Sequence, residues 1–315
     1  MQVTLDPVIL DRFGAALDKL HFTDDHRLLC AVSGGPDSLA LLLLAQQVLP
    51  DRIVAATVDH QLRAGSANEA QYVAQLCHDR AVPHVILSPD VAISGNIQSS
   101  ARAARYALLG RAADAQNCTH IATAHHADDQ LETVLMRLAR GSGIDGLSGI
   151  RAHNGRVVRP LLDFTKTELI EICARAGIQP VDDPSNANSN FDRVAMRDWL
   201  ASTQHPFQAG RATRTASALA EASDALAWVT ETLAGQRIVQ ESGVVNCDAS
   251  DIPNELQRRL LLRSLMLLDP DLVARGDAID RLLVELSNAH TAMIGNIKCV
   301  GGKTWRFSQA PPRRV

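Results

Sequence analysis

The sequence predicts an α/β fold, in which a doubly wound, mostly parallel, Rossmann-like sheet is followed by a smaller and mainly helical C-terminal domain. Three observations support this fold class. Short apolar runs alternate with helical segments as far as residue 205, which is typical of a parallel sheet. A glycine loop joins the first run to a helix, and polar clusters follow several of the runs. Because ligands of such sheets bind beyond the carboxyl ends of the strands, these clusters predict one shared site.

The elements can be assigned in chain order. An amphipathic helix is predicted at 8–20, and Leu28–Val32 has the length of a strand that is buried on both faces. A helix then begins near Asp37. Further strands are predicted at 53–58, 83–87, 119–124 and 156–161. Further helices are predicted at 67–80, 99–117, 131–140 and 166–176. Gly177 closes the last of these helices, as glycine commonly does.

A boundary near 203–206 separates a predicted catalytic domain, 1–205, from a C-terminal domain, 206–315. Apolar residues in the second domain recur at helical spacing. Helices are predicted there at 219–233, 256–268 and 277–286. The segment 296–307 has two strand-like runs around Gly301-Gly302, which predicts a β-hairpin ahead of a basic tail.

Composition is typical of a globular chain, with 46% hydrophobic and 21% charged residues. No run of eighteen apolar residues is present, so no membrane span is predicted. The N-terminal residues do not resemble a secretory signal. The six cysteines are scattered and none forms a C-x-x-C pair, which indicates reduced thiols and a cytoplasmic location.

The charge of the chain leaves nucleic-acid binding open. A net charge of −4 disfavours a polyanionic partner, but local distribution matters more than the sum. Residues 137–159 contain five arginines and one acid, and 295–315 contain five basic residues and no acid. Each cluster is either a contact for a polyanion or a solvated face.

The loop Ser33-Gly34-Gly35-Pro36-Asp37-Ser38 has the composition of a phosphate-binding loop. Its glycines permit positive φ, and backbone amides at the start of the next helix lack helical partners and attract anions. The serine hydroxyls add donors. No lysine is present, which excludes a Walker A loop, and G-x-G-x-x-G is absent. The loop resembles the pyrophosphate loop of N-type ATP pyrophosphatases, which split ATP between the α and β phosphates.

A second polar cluster lies at 124–133, with His125, His126, Asp128, Asp129 and Glu132. If Asp128 caps the following helix, Asp129 and Glu132 share one face. Two such carboxylates can hold Mg²⁺ or accept hydrogen bonds from an ammonium group. The alternative is a buried, satisfied histidine pair beside an exposed Glu132. A zinc site is disfavoured, since no cysteine is near and the spacing is not H-E-x-x-H.

A set of motifs in a fixed order makes the resemblance specific over residues 25–200. The motifs are Ser33–Ser38, Val58–Arg63, Gly95–Gln98 with Ala101–Tyr106, His125–Thr133 with Arg140–Gly143, Arg159–Leu162 and Asp183–Asn186. Together they resemble the bacterial tRNA(Ile)-lysidine synthetases. The resemblance implies that ATP adenylates O2 of the wobble cytidine in a CAU anticodon. The amine of L-lysine then displaces AMP, and the codon read changes from AUG to AUA.

The resemblance also implies residue roles. The ATP-binding positions are Ser33, Gly34, Gly35, Pro36, Asp37, Ser38, Val58, His60 and His125. Asp37 and Asp129 are the implied Mg²⁺ ligands. The implied catalytic residues are Asp37, Arg105, Asp129, Glu132 and Arg197. Arg105 and Arg197 stabilise charge near the α-phosphate, while Asp129 and Glu132 position lysine and accept its proton. The C-terminal domain is the expected tRNA-binding surface, or alternatively a homodimer surface.

Two departures from the family pattern are visible. Val194 stands where the family commonly has asparagine, and Ile294-Gly295-Asn296 replaces a more usual Leu-Gly-Gly.

Three rival functions share the phosphate-binding loop. A tRNA 2-thiolation enzyme is disfavoured because C-x-x-C is absent. A GMP- or NAD-type synthetase lacks the 96–106 segment, and a nucleotide-sensing module would bind ATP without releasing diphosphate.

Overall fold

The computed structural model describes residues 4–61, 65–89, 97–181, 192–273 and 276–310, without the side chains of 97–99 and 192. The chain divides into two units, Met1–Ala220 and Glu221–Val315. This division falls within the long helix α9, Ala209–Arg237, whereas the sequence analysis places its boundary near 203–206.

The first unit is built on a six-stranded sheet in the order β3-β2-β1-β4-β6-β5. All neighbouring strands are parallel except β5 and β6, which pair antiparallel. The strands are β1 Leu28–Ala31, β2 Ile53–Val58, β3 His84–Leu87, β4 His120–Ala122, β5 His153–Asn154 and β6 Val157–Val158. The doubly wound, mostly parallel sheet is therefore confirmed.

Helices cover both faces of this sheet. They are α1 Pro7–Lys19, α2 Pro36–Val48, α3 Ser66–Asp79, α4 Ile97–Ala115, α5 Ala127–Ala139, α6 Ile144–Leu147, α7 Lys166–Arg175 and α8 Asp192–Ser202. Successive residues of β1 face opposite sides: Leu28 and Cys30 belong to one core, and Leu29 and Ala31 to the other. Burial on both faces explains why this strand is a continuous apolar run.

Strand order determines where a ligand can bind. The chain adds β2 and β3 on one side of β1 and then crosses to place β4 on the other side. The register pairs Leu28 with both Ile53 of β2 and His120 of β4. The crevice beyond the carboxyl ends of β1 and β4 is thus a topological switch point, where ligands of open α/β sheets bind.

The second unit contains a five-stranded antiparallel sheet, in the order β7-β8-β11-β10-β9, besides the expected helices. Its elements are β7 Ile238–Glu241, β8 Val244–Cys247, α10 Asn254–Leu268, α11 Gly276–Ser287, β9 Thr291–Ile294, β10 Ile297–Val300 and β11 Trp305–Gln309. The expected hairpin is confirmed as β10–β11, in which Val300 pairs with Arg306. The sequence analysis assigned none of β7, β8 and β9.

Apolar side chains of α10 and α11 cover the inner face of this sheet. Leu260, Leu265 and Leu282 pack with Trp305 and Phe307 in one core. No helix in the described ranges combines the length and apolar character that crossing a membrane requires.

Candidate functional site

A cavity of about 660 Å³ lies at the switch point of the first sheet. Its size falls within the range of small-molecule sites. Side chains that follow β1, β2 and β4 line it, together with residues of α4 and α8. Of the predicted site residues, those on its wall are Ser33, Gly35, Pro36, Asp37, Ser38, Val58, His60, Arg105, His125, Asp129 and Arg197. Gly34 and Glu132 lie behind the wall.

The glycine loop is held in one shape by its own hydrogen bonds. Ser33 N donates to Ser38 Oγ at 3.0 Å, and Ser38 Oγ donates to the carbonyl of Gly35 at 3.0 Å. Gly34 has φ +91°, and a Cβ there would lie 3.2 Å from Val181. Its carbonyl accepts a hydrogen bond from Val181 N at 2.9 Å. Glycine is needed at this position for both its backbone angle and its close neighbour.

Helix α2 begins at Pro36, as the sequence predicts, and its N-terminus lies at the cavity. Gly35 is the N-cap and supplies no capping side chain. The first backbone hydrogen bond of the helix runs from Leu39 N to Gly35 O, so the amides of Asp37 and Ser38 precede the helical ladder. Ser38 itself is buried, and its hydroxyl is used inside the loop. The backbone therefore offers more to an anion here than this side chain does.

Helix α5 is capped differently from the expectation. Asp128 is not the cap; His126 holds the N-cap position, and Asp129 Oδ2 accepts a hydrogen bond from His126 N at 3.1 Å. Asp128 Oδ2 accepts from Lys166 N at 2.8 Å, which ties α5 to the start of α7. The interpretation of Asp128 as the cap is therefore wrong, because a tertiary partner engages its carboxylate.

The buried ring of His126 lies where three carboxylates meet. Its Nε2 is 3.5 Å from both Asp37 Oδ2 and Asp129 Oδ2, and its Nδ1 is 3.5 Å from Asp128 Oδ2. Burial favours the neutral ring, but the nearby carboxylates of Asp128, Asp37 and Asp129 outweigh it and raise the pKa of His126 to about 9. At neutral pH the ring is a cation that draws the loop and α5 together.

In the neighbouring His125 the pKa is lowered instead of raised. Burial lowers its pKa to about 4; Asp129 opposes this shift, and nearby arginines such as Arg193 reinforce it. Its Nδ1 lies 3.0 Å from the hydroxyl of Thr123. At neutral pH His125 therefore presents a neutral ring to the cavity.

The carboxylates of Asp37 and Asp129 have the chemistry that Mg²⁺ prefers. Both approach the same nitrogen of His126, and Asp37 Oδ1 is buried without a hydrogen-bond partner in the described part of the chain. No group of three or more His, Cys, Asp or Glu side chains capable of holding a metal occurs among the described residues. The pair therefore suits a cation whose other ligands are phosphate and water oxygens, which is the usual arrangement for nucleotide-bound Mg²⁺.

Glu132 is buried and fully engaged by two arginines of α8. Its carboxylate accepts from Arg193 Nε at 2.8 Å, and from Arg197 Nε at 2.9 Å and Nη2 at 3.2 Å. Arg193 Nη2 also donates to Asp129 Oδ1 at 2.8 Å. The sequence analysis omitted Arg193 from the site. Its spacing of four residues from Arg197 on a helix was the signal that could have found it.

Arg105 enters the cavity from α4. Burial lowers its pKa from that of a free guanidinium, and no carboxylate of the described segments forms an ion pair with it. Burial and the charge of Arg105 together lower the pKa of His60. Arg105 is thus a cation without a described counter-charge, directed at a cavity that suits an anion.

Several predicted positions lie outside the described residues. These are Leu62, Arg63, Gly95, Asn96, Asp183, Pro184, Ser185, Asn186, Arg313 and Arg314. The basic cluster at 137–159 is described, and most of it bonds to the protein itself. Arg137 donates to the carbonyls of Gly146 and Gly149, and Arg159 donates to that of Arg151. These two arginines therefore stabilise the neighbouring loops through backbone carbonyls.

Comparison with known proteins agrees with this geometry. The family model of the PP-loop domain matches residues 7–203. The tRNA(Ile)-lysidine synthase of Zymomonas mobilis is 40% identical over 298 residues, covering 90% of this chain and 88% of that protein. The enzyme of that name from Novosphingobium aromaticivorans is 43% identical over 296 residues, covering 91% and 90%.

Among solved structures, the chain is similar to the U34-tRNA thiolase NcsA from Methanococcus maripaludis, which carries a [4Fe-4S] cluster. The TM-score is 0.57 at 17% identity, over 67% of this chain and 77% of that one. At this identity the similarity concerns the fold alone.

Proposed function

We infer that this chain, which belongs to the tRNA(Ile)-lysidine synthase family of PP-loop proteins, is an ATP-dependent ligase that modifies tRNA(Ile). It joins L-lysine to C2 of the wobble cytidine in a CAU anticodon. AMP is first transferred to O2 of the cytidine and diphosphate leaves; the amine of lysine then displaces AMP. The resulting lysidine changes the codon read from AUG to AUA.

One observation carries the assignment of the site. The phosphate loop and the acidic start of α5 come from different strands, yet Asp37 and Asp129 both lie 3.5 Å from His126 Nε2. Cleavage at the α-phosphate requires donors for the departing diphosphate and a second group of side chains for the attacking substrate. Both groups share this cavity.

We assign ATP binding to the loop and its neighbours. The amides that start α2 face the phosphates, and the helix dipole favours their negative charge. Val58, His60 and His125 line the same cavity, and we assign them to the nucleotide. Asp37 and Asp129 would hold Mg²⁺ together with phosphate oxygens. When bound, the metal supplies neutralisation of charge on the leaving diphosphate.

We assign to Arg105 and Arg197 the stabilisation of negative charge on the α-phosphate. Arg105 is free of a described counter-ion, so its field acts on a ligand rather than on a neighbouring acid. Arg197 lines the cavity while Glu132 holds its guanidinium in place. Cations fixed before the reaction stabilise the pentacoordinate phosphorus without reorganisation.

The amine of lysine has an unperturbed pKa of roughly 10.4 and must lose a proton before it attacks. We propose Asp129 as the residue that receives the lysine amine, since its carboxylate lies on the cavity wall. Glu132 accepts three guanidinium hydrogen bonds and lies behind the wall, so its part is to position Arg193 and Arg197.

We propose that the second unit contacts the tRNA. Lys298 and Arg306 are exposed on the same side of adjacent strands β10 and β11, while Cys299 and Phe307 face the core. Cations in this arrangement suit phosphates of an RNA backbone. A homodimer surface is the alternative for this unit. Because its substrates are a tRNA and ATP, we place the reaction in the cytoplasm.

The cysteines argue against the thiolation chemistry of the structurally similar enzyme. All six are buried. Burial raises the pKa of the Cys173 thiol to about 11 and that of Cys299 to about 12. Thiols in this state are poor nucleophiles and poor cluster ligands.

The test is incubation of the purified chain with ATP, labelled lysine and total bacterial tRNA. Label should enter the first anticodon base of one tRNA(Ile), with equimolar release of AMP and diphosphate. The Asp129→Ala variant should incorporate none. Incorporation of label from glutamine or cysteine, or diphosphate release without tRNA, would contradict the proposal.

A further inference from the structure

Arg193 forms a bridge between the two carboxylates that α5 presents on one face. Its Nη2 lies 2.8 Å from Asp129 Oδ1, and its Nε lies 2.8 Å from Glu132 Oε2. Arg193 lines the cavity, and 39% of its side chain is exposed, against 5% for Glu132. A partly exposed cation at the cavity therefore pairs with both of these carboxylates.

We propose that Arg193 is an internal placeholder for the ammonium group of lysine, and that lysine binds by displacing it from Asp129. This inference rests on the proposed function, because it concerns the second substrate of that reaction. It makes Arg193 a specificity-determining residue. Only a substrate with a cationic side chain can replace the guanidinium on Asp129 Oδ1, the oxygen that Arg193 contacts at 2.8 Å.

Charge balance supports the exchange. Asp129 and Glu132 face Arg193 and Arg197, which gives two negative and two positive charges. Replacement of one cation by another preserves this balance, whereas an amino acid with a neutral side chain would leave Asp129 Oδ1 without its 2.8 Å partner and only the His126 ring, 3.5 Å from Oδ2, beside the carboxylate. Removing the closer partner of a partly buried carboxylate is costly, so the neutral competitor is rejected.

The geometry indicates that Arg193 moves rather than Arg197. Arg197 bonds to both oxygens of Glu132, at 2.9 and 3.2 Å. The hydrogen bond to Glu132 raises the pKa of the Arg197 guanidinium. Arg193 makes one bond to Glu132, and one side-chain and one longer backbone bond to Asp129. When it leaves, Glu132 keeps its pair with Arg197, and only Asp129 needs a new partner.

The test measures the KM for lysine in the full reaction with ATP and tRNA(Ile). Removal of the competing cation in Arg193→Ala should lower this KM about tenfold, because the acids are then always available to the substrate. Arg193→Gln, which keeps a polar side chain of similar length, should behave likewise and serves if the alanine variant does not fold. Arg193→Lys should stay close to the wild type. Arg281→Ala, which removes a remote exposed arginine paired with Asp277, is the matched control.

Methylguanidine provides a readout that a structural role would not move. It should compete with lysine strongly in Arg193→Ala and weakly in the wild type, because it refills the vacated guanidinium position. An unchanged or higher KM in both neutral variants, or equal inhibition of variant and wild type, would overturn the inference. Failure of the wild type to incorporate lysine at all would instead contradict the proposed function.

Discussion

Adjacent residues of this site have opposite protonation states. His125 and His126 follow the same strand, but His126 faces Asp37, Asp128 and Asp129, while burial dominates the environment of His125. A single backbone step turns one ring toward carboxylates and the other toward the cavity. The charge of each histidine is therefore a property of its tertiary neighbours.

This difference can be measured by an NMR titration of the imidazole rings in protein kept free of divalent cations and nucleotides. His126 should remain protonated from pH 6 to 8 and lose its proton near pH 9, since its pKa is raised. His125 should remain neutral above pH 5, since its pKa is lowered to about 4. Substitution of Asp128 by Asn should lower the pKa of His126. Two rings that both titrate near pH 6.5 would contradict the assignment.

Among single side chains, we expect the carboxylate of Asp37 to matter most for ATP cleavage. Asp37→Asn keeps the size of the side chain but removes the charge from an oxygen without a hydrogen-bond partner. We expect tRNA-dependent diphosphate release to fall by about 10²–10³-fold, the usual cost of removing one preorganised electrostatic group. The exposed Asp114, which pairs with Arg156, provides the control Asp114→Asn. Activity of Asp37→Asn within a few-fold of wild type would exclude the metal-binding role.

At the scale of elements, the loop between β1 and α2 shows how backbone geometry prepares an anion site. Gly34 has a positive φ, and its carbonyl accepts a hydrogen bond from Val181 N. Within the loop, Ser38 Oγ accepts a hydrogen bond from Ser33 N. These contacts shape the turn so that the start of α2 meets the cavity. The loop is thus formed by local backbone preference and one long-range neighbour together.

Gly34→Ala should destabilise the fold by about 1–2 kcal/mol, because an L-residue is strained in the left-handed region. The nearby methyl group of Val181 adds crowding. Gly110→Ala is the matched control. Gly110 lies inside α4 with open space around the added Cβ, so this change should stabilise by about 0.5–1 kcal/mol. Urea unfolding of both variants measures the difference; a stabilised Gly34→Ala would refute the argument.

The start of α7 carries a pH-dependent part of the stability. Glu168 is partly buried, which opposes ionisation, but the amide and hydroxyl of Thr165 and the guanidinium of Arg12 outweigh burial and lower its pKa. A lowered folded-state pKa stabilises the protein above the unfolded value, near 4.5, and this contribution disappears as the pH falls through the folded value.

Glu168→Gln should therefore lower the midpoint of thermal unfolding at pH 7 and have a smaller effect as the pH falls below 4. The exposed Glu241 supplies the control Glu241→Gln, whose midpoint should match the wild type throughout. A destabilisation by Glu168→Gln that stays constant from pH 7 to pH 3 would show that packing, not charge, is responsible.

At the scale of the whole molecule, chemistry and RNA recognition are assigned to different units. The cavity belongs to Met1–Ala220, whereas the exposed cations of β10 and β11 belong to Glu221–Val315. The net charge of −4 makes a broad electrostatic attraction for RNA weak, so local cations must supply the contact.

The double charge reversal Lys298→Glu with Arg306→Glu should weaken tRNA binding at least tenfold at moderate salt. It should also reduce the slope of log K against log salt by about one unit for each phosphate that the variant no longer neutralises. ATP binding should be unchanged. Sedimentation of the variant tests the dimer alternative: a shift in mass with unaltered tRNA affinity would favour a subunit interface over an RNA surface.

Much of the first unit follows from sequence because its signals are local. The run Leu28–Val32, the glycines of the loop and the alternation of strands with helices depend on neighbours within a few residues. The same reasoning brought Asp37 and Asp129 to one edge of the sheet, since parallel strands share a direction. In the second unit the strands β7, β8 and β9 are only four residues long, and β7 is mostly exposed, so the apolar signal of each is short. The hairpins β7–β8 and β9–β10 are local, but β8 reaches the sheet by pairing with β11, far along the chain.

The sequence by itself determined the sheet, the phosphate loop and which chemistry-bearing residues follow the strand ends, because backbone preference and apolar periodicity are encoded over short distances. Only the tertiary structure decided how the charges are paired. In the fold Asp128 accepts a hydrogen bond from Lys166 N, Glu132 is enclosed by two arginines, and Arg193 pairs with Asp129. These pairings join residues 38 to 65 positions apart, and the free energy of a buried charge depends on which partner the fold brings to it.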